Sequence, residues 1–232
     1  MIHQLIFAAP KPGMTEEEFQ KYWVEVHAVK YASKIPQIKK YMIDTRVPLP
    51  GDKGTPLFSG IAEIWLENEK EQLASLQTPE FLQGARLDEP NWAAFWQTLV
   101  LDTDEHVIVE GPAPVKAPAW VKLVVLIKRK EGMKLADFRE YSLRKHSALS
   151  RKIPGLRRYA QYNTRDSWYA FGETKFDSVG MMWFDSVEAL TRAMRSAEYK
   201  AAGEDLPNFA EMKYVFQVMA AKEHWIIGPE AR

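Results

Sequence analysis

Lys11-Pro12-Gly13-Met14-Thr15-Glu16-Glu17-Glu18-Phe19, followed by Tyr22-Trp23 and His27, is the stretch that decides the fold, because the chain carries its pattern twice. Pro12-Gly13-Met14 with Phe19, Tyr22 and His27 returns as Glu131-Gly132-Met133 with Phe138, Tyr141 and His146, at a spacing of 119 residues. The match runs on. Ile35-Pro36 and Tyr41 find Ile153-Pro154 and Tyr159, Thr45-Arg46 finds Thr164-Arg165, and Trp65 finds Trp183. Pro90-Asn91 returns as Pro207-Asn208, His106 as His224, and Gly111-Pro112 as Gly228-Pro229. The spacing stays between 117 and 119, so single-residue insertions suffice to align the copies. Self-similarity held at one period marks a duplicated structural unit. We read residues 1–111 as the first repeat, 112–118 as a stiff proline-rich linker, and 119–232 as the second repeat.

Each copy spells β-α-β-β-α-β. Ile2–Ala9 and Val121–Lys128 are short apolar runs that read as first strands. Thr15 and Glu18 form a capping box ahead of Phe19, Tyr22, Trp23 and Val26, which recur at helical spacing. Lys134 and Asp137 hold those cap positions in the second copy and specify its helix start less well. Further strands are expected over Lys39–Val47 and Phe58–Leu66, with copies Arg157–Arg165 and Phe176–Phe184. The second helix reads as Glu69–Leu76 (copy Val187–Arg195), with an extra helical piece near Pro79–Gln83. Last strands lie near Gln97–Val109 and Lys213–Ile227, bent at the middle.

A four-stranded antiparallel sheet with both helices on one face must bury its other face against something. The second copy supplies the partner. The expected class is α+β: two fused ferredoxin-like βαββαβ repeats whose antiparallel sheets face each other as a pseudo-dimeric α+β barrel. Burial between the sheets, at roughly 25 cal/mol per Å², is the largest stabilising contribution available.

Composition narrows the function. The 232 residues carry 31 Lys+Arg against 31 Asp+Glu, leaving no basic field for nucleic acid. With no cysteine, disulfides, thiolate catalysis and Cys-bound metal are excluded. Met1–Phe7 reads as a strand rather than a signal peptide, and no apolar run is long enough for a membrane span. A cytoplasmic protein, monomeric as a pseudo-dimer or else a homodimer, is expected.

Lys11–Phe19 with Tyr22-Trp23, His27, Ile35-Pro36 and Tyr41 resembles the signature of EthD-type domains. The second copy is similar through Phe138, Tyr141, His146, Ile153-Pro154-Gly155-Leu156 and Tyr159. The resemblance implies the dimeric α+β barrel superfamily. That superfamily includes cofactor-free oxygenases of polyketide quinones, lyases and cyclases of phenolic or polyketide acids, haem-degrading enzymes, and members with no assigned reaction.

His27 follows Trp23 by four residues on the apolar helix face and returns as His146. An imidazole titrating near neutrality in an apolar cleft suits general acid/base work; its alternative is a core histidine bonded to backbone. His106 and His224 read as structural at strand ends, and His3, opposite Lys122, as incidental. No ligand spacing for a metal, no phosphate loop and no nucleophile elbow is present. The expectation is therefore no cofactor and no metal, haem not being strictly excluded. Trp23 becomes Ser142 in the second copy, which frees space if nothing collapses into it. Ser167-Trp168-Tyr169-Ala170-Phe171-Gly172 replaces a polar loop and reads either as a lid hinged at Gly172 or as aromatic packing between repeats.

These differences place the expected pocket in the second copy. His146 is the candidate acid/base, with Tyr141, Ser142, Tyr159 and Trp183 on the walls and Trp168, Tyr169 and Phe171 above. His27, Tyr22, Tyr41 and Trp65 are their first-copy counterparts. The leading function is a cofactor-independent lyase of decarboxylase or dehydratase type acting on a small hydrophobic aromatic or polyketide-like compound. A cofactor-free monooxygenase of a quinol and a non-catalytic binder of a hydrophobic intermediate are the alternatives.

Overall fold

Alternation along a strand sorts side chains onto two faces, and in the first strand both faces are used. In β1 (Ile2–Ala8), Leu5 and Phe7 enter a core built from both repeats, while Ile6 and Ala8 turn the other way, under helices. The computed structural model describes residues 1–111 and 119–230, so the segment read as the linker, 112–118, lies outside the described residues.

The first repeat continues with α1 (Glu16–Tyr22), a π-helical turn over Trp23–His27, α2 (Ala28–Lys30), β2 (Ile38–Val47), β3 (Gly60–Leu66) and α3 (Glu69–Ser75). A second π turn (Glu80–Ala85) leads into α4 (Arg86–Asp88) and then β4 (Leu99–Val109). The second repeat runs β5 (Val121–Arg129), α5 (Leu135–Tyr141), a π turn (Ser142–His146), α6 (Ser147–Ser150) and β6 (Arg158–Thr164). It ends with β7 (Ser178–Phe184), α7 (Val187–Ala193), α8 (Ala197–Asp205) and the long β8 (Ala210–Ile227). Thr15 accepts from the Glu18 amide and Glu18 reaches back, so the capping box forms. Lys134 gives α5 no such side-chain bond.

The eight strands close a barrel in the order β1-β3-β2-β8-β5-β7-β6-β4. Within each repeat the neighbours are those of a ferredoxin-like sheet, and two antiparallel seams, β2 to β8 and β4 to β6, join the repeats. Leu5, Ile61, Leu101, Val124, Leu126, Val179 and Met181 fill the interior. Among the described residues closure leaves no open sheet edge. β3 and β7 start two residues later than expected; Phe58 and Phe176 turn into the interior core before their ladders begin. The expected bend of the last strand is a register shift of β8 against Val124 and Val125.

One stretch of the barrel interior is ionic. The Lys122 ammonium, with no exposed side-chain surface, pairs with Asp44 and Glu223 at 2.9 Å each and also with Glu63. His3 Nε2 lies 2.8 Å from Glu63, and the His3 ring stacks on Trp65 at 4.3 Å. His3 is thus part of a buried cluster rather than incidental. Burial and the Glu63 and Glu223 charges push the Asp44 carboxyl well up despite Lys122, whereas Lys122 and His3 hold Glu63 down against its own burial.

Helices cover the outer face of each half-barrel. In the first repeat Phe19 and Trp23 press onto β1 and β3 so closely that a Cβ at Gly60 would stand 2.6 Å from the Trp23 ring. Among the described residues no helix is long and apolar enough to cross a membrane.

Candidate active-site cleft of the first repeat

The π turn decides what the histidine meets. At about 3.6 residues per turn, side chains five apart point roughly 140° away from each other; with i→i+5 bonding they share a face. Tyr22 and His27 are five apart across that turn. The Tyr22 hydroxyl donates to Asp88 Oδ1 at 2.8 Å, and His27 Nδ1 lies 2.9 Å from Asp88 Oδ2. Asn91 adds a third bond to Asp88. The second repeat builds the same set: Tyr141 on Asp205 at 2.8 Å, His146 Nδ1 on Asp205 at 3.0 Å, and Asn208 alongside.

Both aspartates escape a reading based on helical periodicity, because they lie about sixty residues from their histidines in another element. A signal existed: Asp88 stands two positions before Pro90-Asn91, as Asp205 does before Pro207-Asn208.

Burial lowers the affinity of His27 for a proton, and the Asp88 hydrogen bond and charge only partly restore it, so its pKa lies below the ordinary imidazole value. Burial pushes the Asp88 carboxyl up, but bonds from Asn91, His27 and Tyr22 outweigh it and leave the group below its ordinary value. Near neutrality the pair is therefore neutral imidazole beside carboxylate. Asp88 accepts the Nδ1 proton, which puts the lone pair on Nε2. Tyr22 is pushed up to about 12 by burial and by its bond to Asp88, and stays protonated.

The two histidines part company at Nε2. Ser150, four residues after His146, lies 3.0 Å from that nitrogen. The residue four after His27 is Tyr31, whose ring centroid stands 6.3 Å from the imidazole. Nothing among the described residues hydrogen-bonds His27 Nε2, and His27 lines a cavity of about 750 Å³ between the first repeat's sheet and its helices. His27 is only 6% exposed and sits against Trp92 at 4.7 Å.

This cavity corrects the expectation that the second copy is hollow. Ser142 does replace Trp23, but its hydroxyl bonds Gln161, which also donates to Tyr159, so a polar side chain fills the vacated volume. The matching position in β2 is Ile43, which pairs with Ala62 as Gln161 pairs with Gly180. Leu123, Leu190 and Ala220 pack the rest of the second outer layer. In the first repeat Trp23 is a wall of the cavity and does not fill it.

Of the residues singled out in the sequence, His27, Tyr41, Trp168 and Phe171 line this cavity. Tyr41 is buried, and burial raises its pKa, an indole N–H from Trp23 offsetting part of the rise. Tyr22 acts from behind His27 through Asp88. Trp65 and Trp183 face the barrel interior, not a pocket, because Ile64 and Leu66 beside Trp65 take the outer face. Trp183 donates to Glu223 at 2.7 Å. Tyr141 and His146 belong to the closed second set, Tyr159 to the second core, and Tyr169 bonds Asp177 at 2.6 Å. His224 Nε2 meets Thr45 at 2.8 Å across the seam, a bond between strands.

The aromatic loop crosses to the other repeat. β6 runs beside β4, so the turn over Asp166–Phe171 emerges above the first repeat's cavity. The Arg165 amide bonds the Asp102 carbonyl at 2.9 Å. Trp168 is half-buried and Phe171 is 92% exposed at the mouth. Gly172 ends the turn at φ 122°, a conformation open to glycine. The corresponding loop of the first repeat crosses the other way, and Leu49 is buried in the second repeat's outer core.

Barrel, fused ferredoxin-like halves and helix-covered clefts define a dimeric α+β barrel made from a single chain. The EthD domain model matches residues 11–95 and again 130–213, and the chain belongs to that family. Its fold is similar to that of an anthrone oxidase-like protein, at 10% identity over 97% of this chain and 92% of that one, with a TM-score of 0.65. It is also similar to candidate monooxygenases from Fusobacterium nucleatum (7% identity, 100% and 95% covered, TM-score 0.59) and Lactobacillus acidophilus (12% identity, 100% and 97% covered, TM-score 0.52). At these identities the likeness is one of fold. No curated protein sequence matches the chain.

Proposed function

We propose that the first repeat's cleft takes a small, flat aromatic or polyketide-like compound and that His27 removes a proton from it. The observation that carries this reading is the free Nε2 of a neutral imidazole, facing a largely apolar cavity while Asp88 holds Nδ1. Proton loss from a phenol or activated C–H leaves a phenolate or enolate. From the phenolate, His27 returns the proton to the carbon that bears a carboxylate, and the C–CO2 bond breaks as its electron pair restores the aromatic ring and carbon dioxide leaves. From the enolate, a β-hydroxyl departs with its bonding pair, takes the proton back from His27 and leaves as water. Either course makes the chain a lyase. A base placed this way contributes roughly 10²–10⁴-fold. The second repeat serves as scaffold and supplies Trp168 and Phe171 as a cover.

Turnover of phenolic and polyketide acids, followed in an oxygen electrode, tests this. Product formed without oxygen uptake, and lost in His27→Ala but kept in His146→Ala, is the expected result. Oxygen consumed in step with product moves the chain to the oxygenases. A compound that raises the melting temperature and is recovered unchanged makes it a binder. Equal loss in both histidine variants removes the asymmetry on which the reading stands.

A further inference from the structure

Three cavity-lining residues are polar where the second repeat is apolar, and they converge on one atom. Gln4 in β1 donates to Asp102 Oδ1 at 2.9 Å, and Gln72 in α3 donates to the same oxygen at 2.8 Å. Gln4 faces Asp102 across the β1–β4 ladder as Leu123 faces Ala220 across the β5–β8 ladder. Gln72 holds the fourth position after the cap Asn68, as Leu190 does after Ser186. Leu123, Leu190 and Ala220 belong to one apolar core in the second repeat. The fold therefore has no need of polar groups here, and the second repeat is its internal control.

Asp102 is 8% exposed, no cation pairs with it among the described residues, and both amides go to one of its oxygens. Arg165, whose amide bonds the Asp102 carbonyl, gives its guanidinium to Asp104 and Glu69 instead. Asp102, Gln4 and Gln72 all line the same cavity as His27, on the wall made by β1, β4 and α3 rather than the π turn. Asp102 Oδ2 has no hydrogen-bond partner among the described residues and lies on the wall of the open cavity, where a ligand donor can take the place of water.

We propose that Asp102, held by Gln4 and Gln72, is a specificity site that accepts a hydrogen bond from a hydroxyl of the substrate, apart from the proton His27 takes. The inference rests on the cleft reading above and narrows it to hydroxylated aromatics. Both amides clamp Oδ1, which fixes the carboxylate plane and turns Oδ2 to the ligand. A methyl ether at that point offers no proton and leaves Oδ2 unpaired.

Calorimetric titration of the full chain with naphthol and with its methyl ether tests this. The expected result is naphthol bound at least about tenfold more tightly than the ether. Gln4→Leu/Gln72→Leu/Asp102→Ala, which copies the second repeat, loses that preference while still binding the ether. Asp102→Asn, which keeps the volume, weakens the preference in the same direction and serves if the triple variant does not fold. His27→Ala keeps the preference. Equal affinity for both probes, or a preference undiminished in Asp102→Asn, overturns the proposal and leaves the His27 reading standing. Binding of neither probe overturns the aromatic cleft and this site with it.

Discussion

The Lys122 ammonium and the Asp44 carboxyl group lie 2.9 Å apart inside the barrel, neither with any side-chain surface open to water. Among the described residues Lys122 is the one cation shared among Asp44, Glu63 and Glu223. Lys122→Met leaves those acidic groups facing each other in a dry interior, and breaking a buried pair from one side costs about 3–5 kcal/mol. Urea denaturation of Lys122→Met is expected to show a loss of that order. Adding Asp44→Asn to it recovers part of the loss; no loss in the single variant contradicts the cluster's role.

Activity has a signed dependence on pH. On the reading proposed above His27 works as a neutral base, and burial holds its pKa below the ordinary value. kcat/KM is therefore expected to stay flat through neutrality and to fall only on an acid limb centred below about 6.5. A limb centred above that value contradicts a desolvated imidazole as the base. In Asp88→Asn, neither the anion nor the fixed tautomer remains, and kcat should fall far more than KM rises.

Stability follows the same histidines. Burial lowers the pKa of His27 and His146 in the folded chain, so the unfolded chain takes up protons first as the pH drops below about 6.5. Stability from this source is intact above that pH and is lost on acidification towards the folded values. Urea midpoints measured from neutral pH down to about 5 should fall less steeply in His27→Gln/His146→Gln than in the parent.

The crossing loop offers a cleaner separation of binding from folding. Phe171 is 92% exposed, so Phe171→Ala should leave stability within about 0.5 kcal/mol. The same change uncovers the cavity mouth and is expected to raise KM and speed ligand release. Trp168→Ala should do so more strongly, since its ring is half-buried against the first repeat's cavity. Unchanged KM in both variants contradicts the lid.

Much of the barrel was legible because duplication writes every element twice. Phe19 and Phe138, Trp65 and Trp183, and the two histidines align the copies, and the strand boundaries fall within three residues of those expected. The hollow half was not legible, because volume was judged from one helix position. Trp23 against Ser142 says nothing of Gln161 on the following strand, β6, nor of Leu123 and Leu190 against Gln4 and Gln72. The interior cluster was hidden for a different reason: His3, Asp44, Glu63, Lys122 and Glu223 come from five strands and meet only on closure. Trp65 was misassigned by parity, a one-residue matter in any strand.

Leu49 and Phe171 sit on corresponding loops that trade places, one sealed under the far half and the other bare above its neighbour. In a symmetric homodimer each substitution is inherited by both subunits at once. Tandem synthesis breaks that bond: one cleft can be plugged to brace the molecule while its twin is kept roomy. Severing the halves would therefore deprive the open cleft of its roof as well as its mate, and two identical first halves joined together would carry no aromatic cover at all.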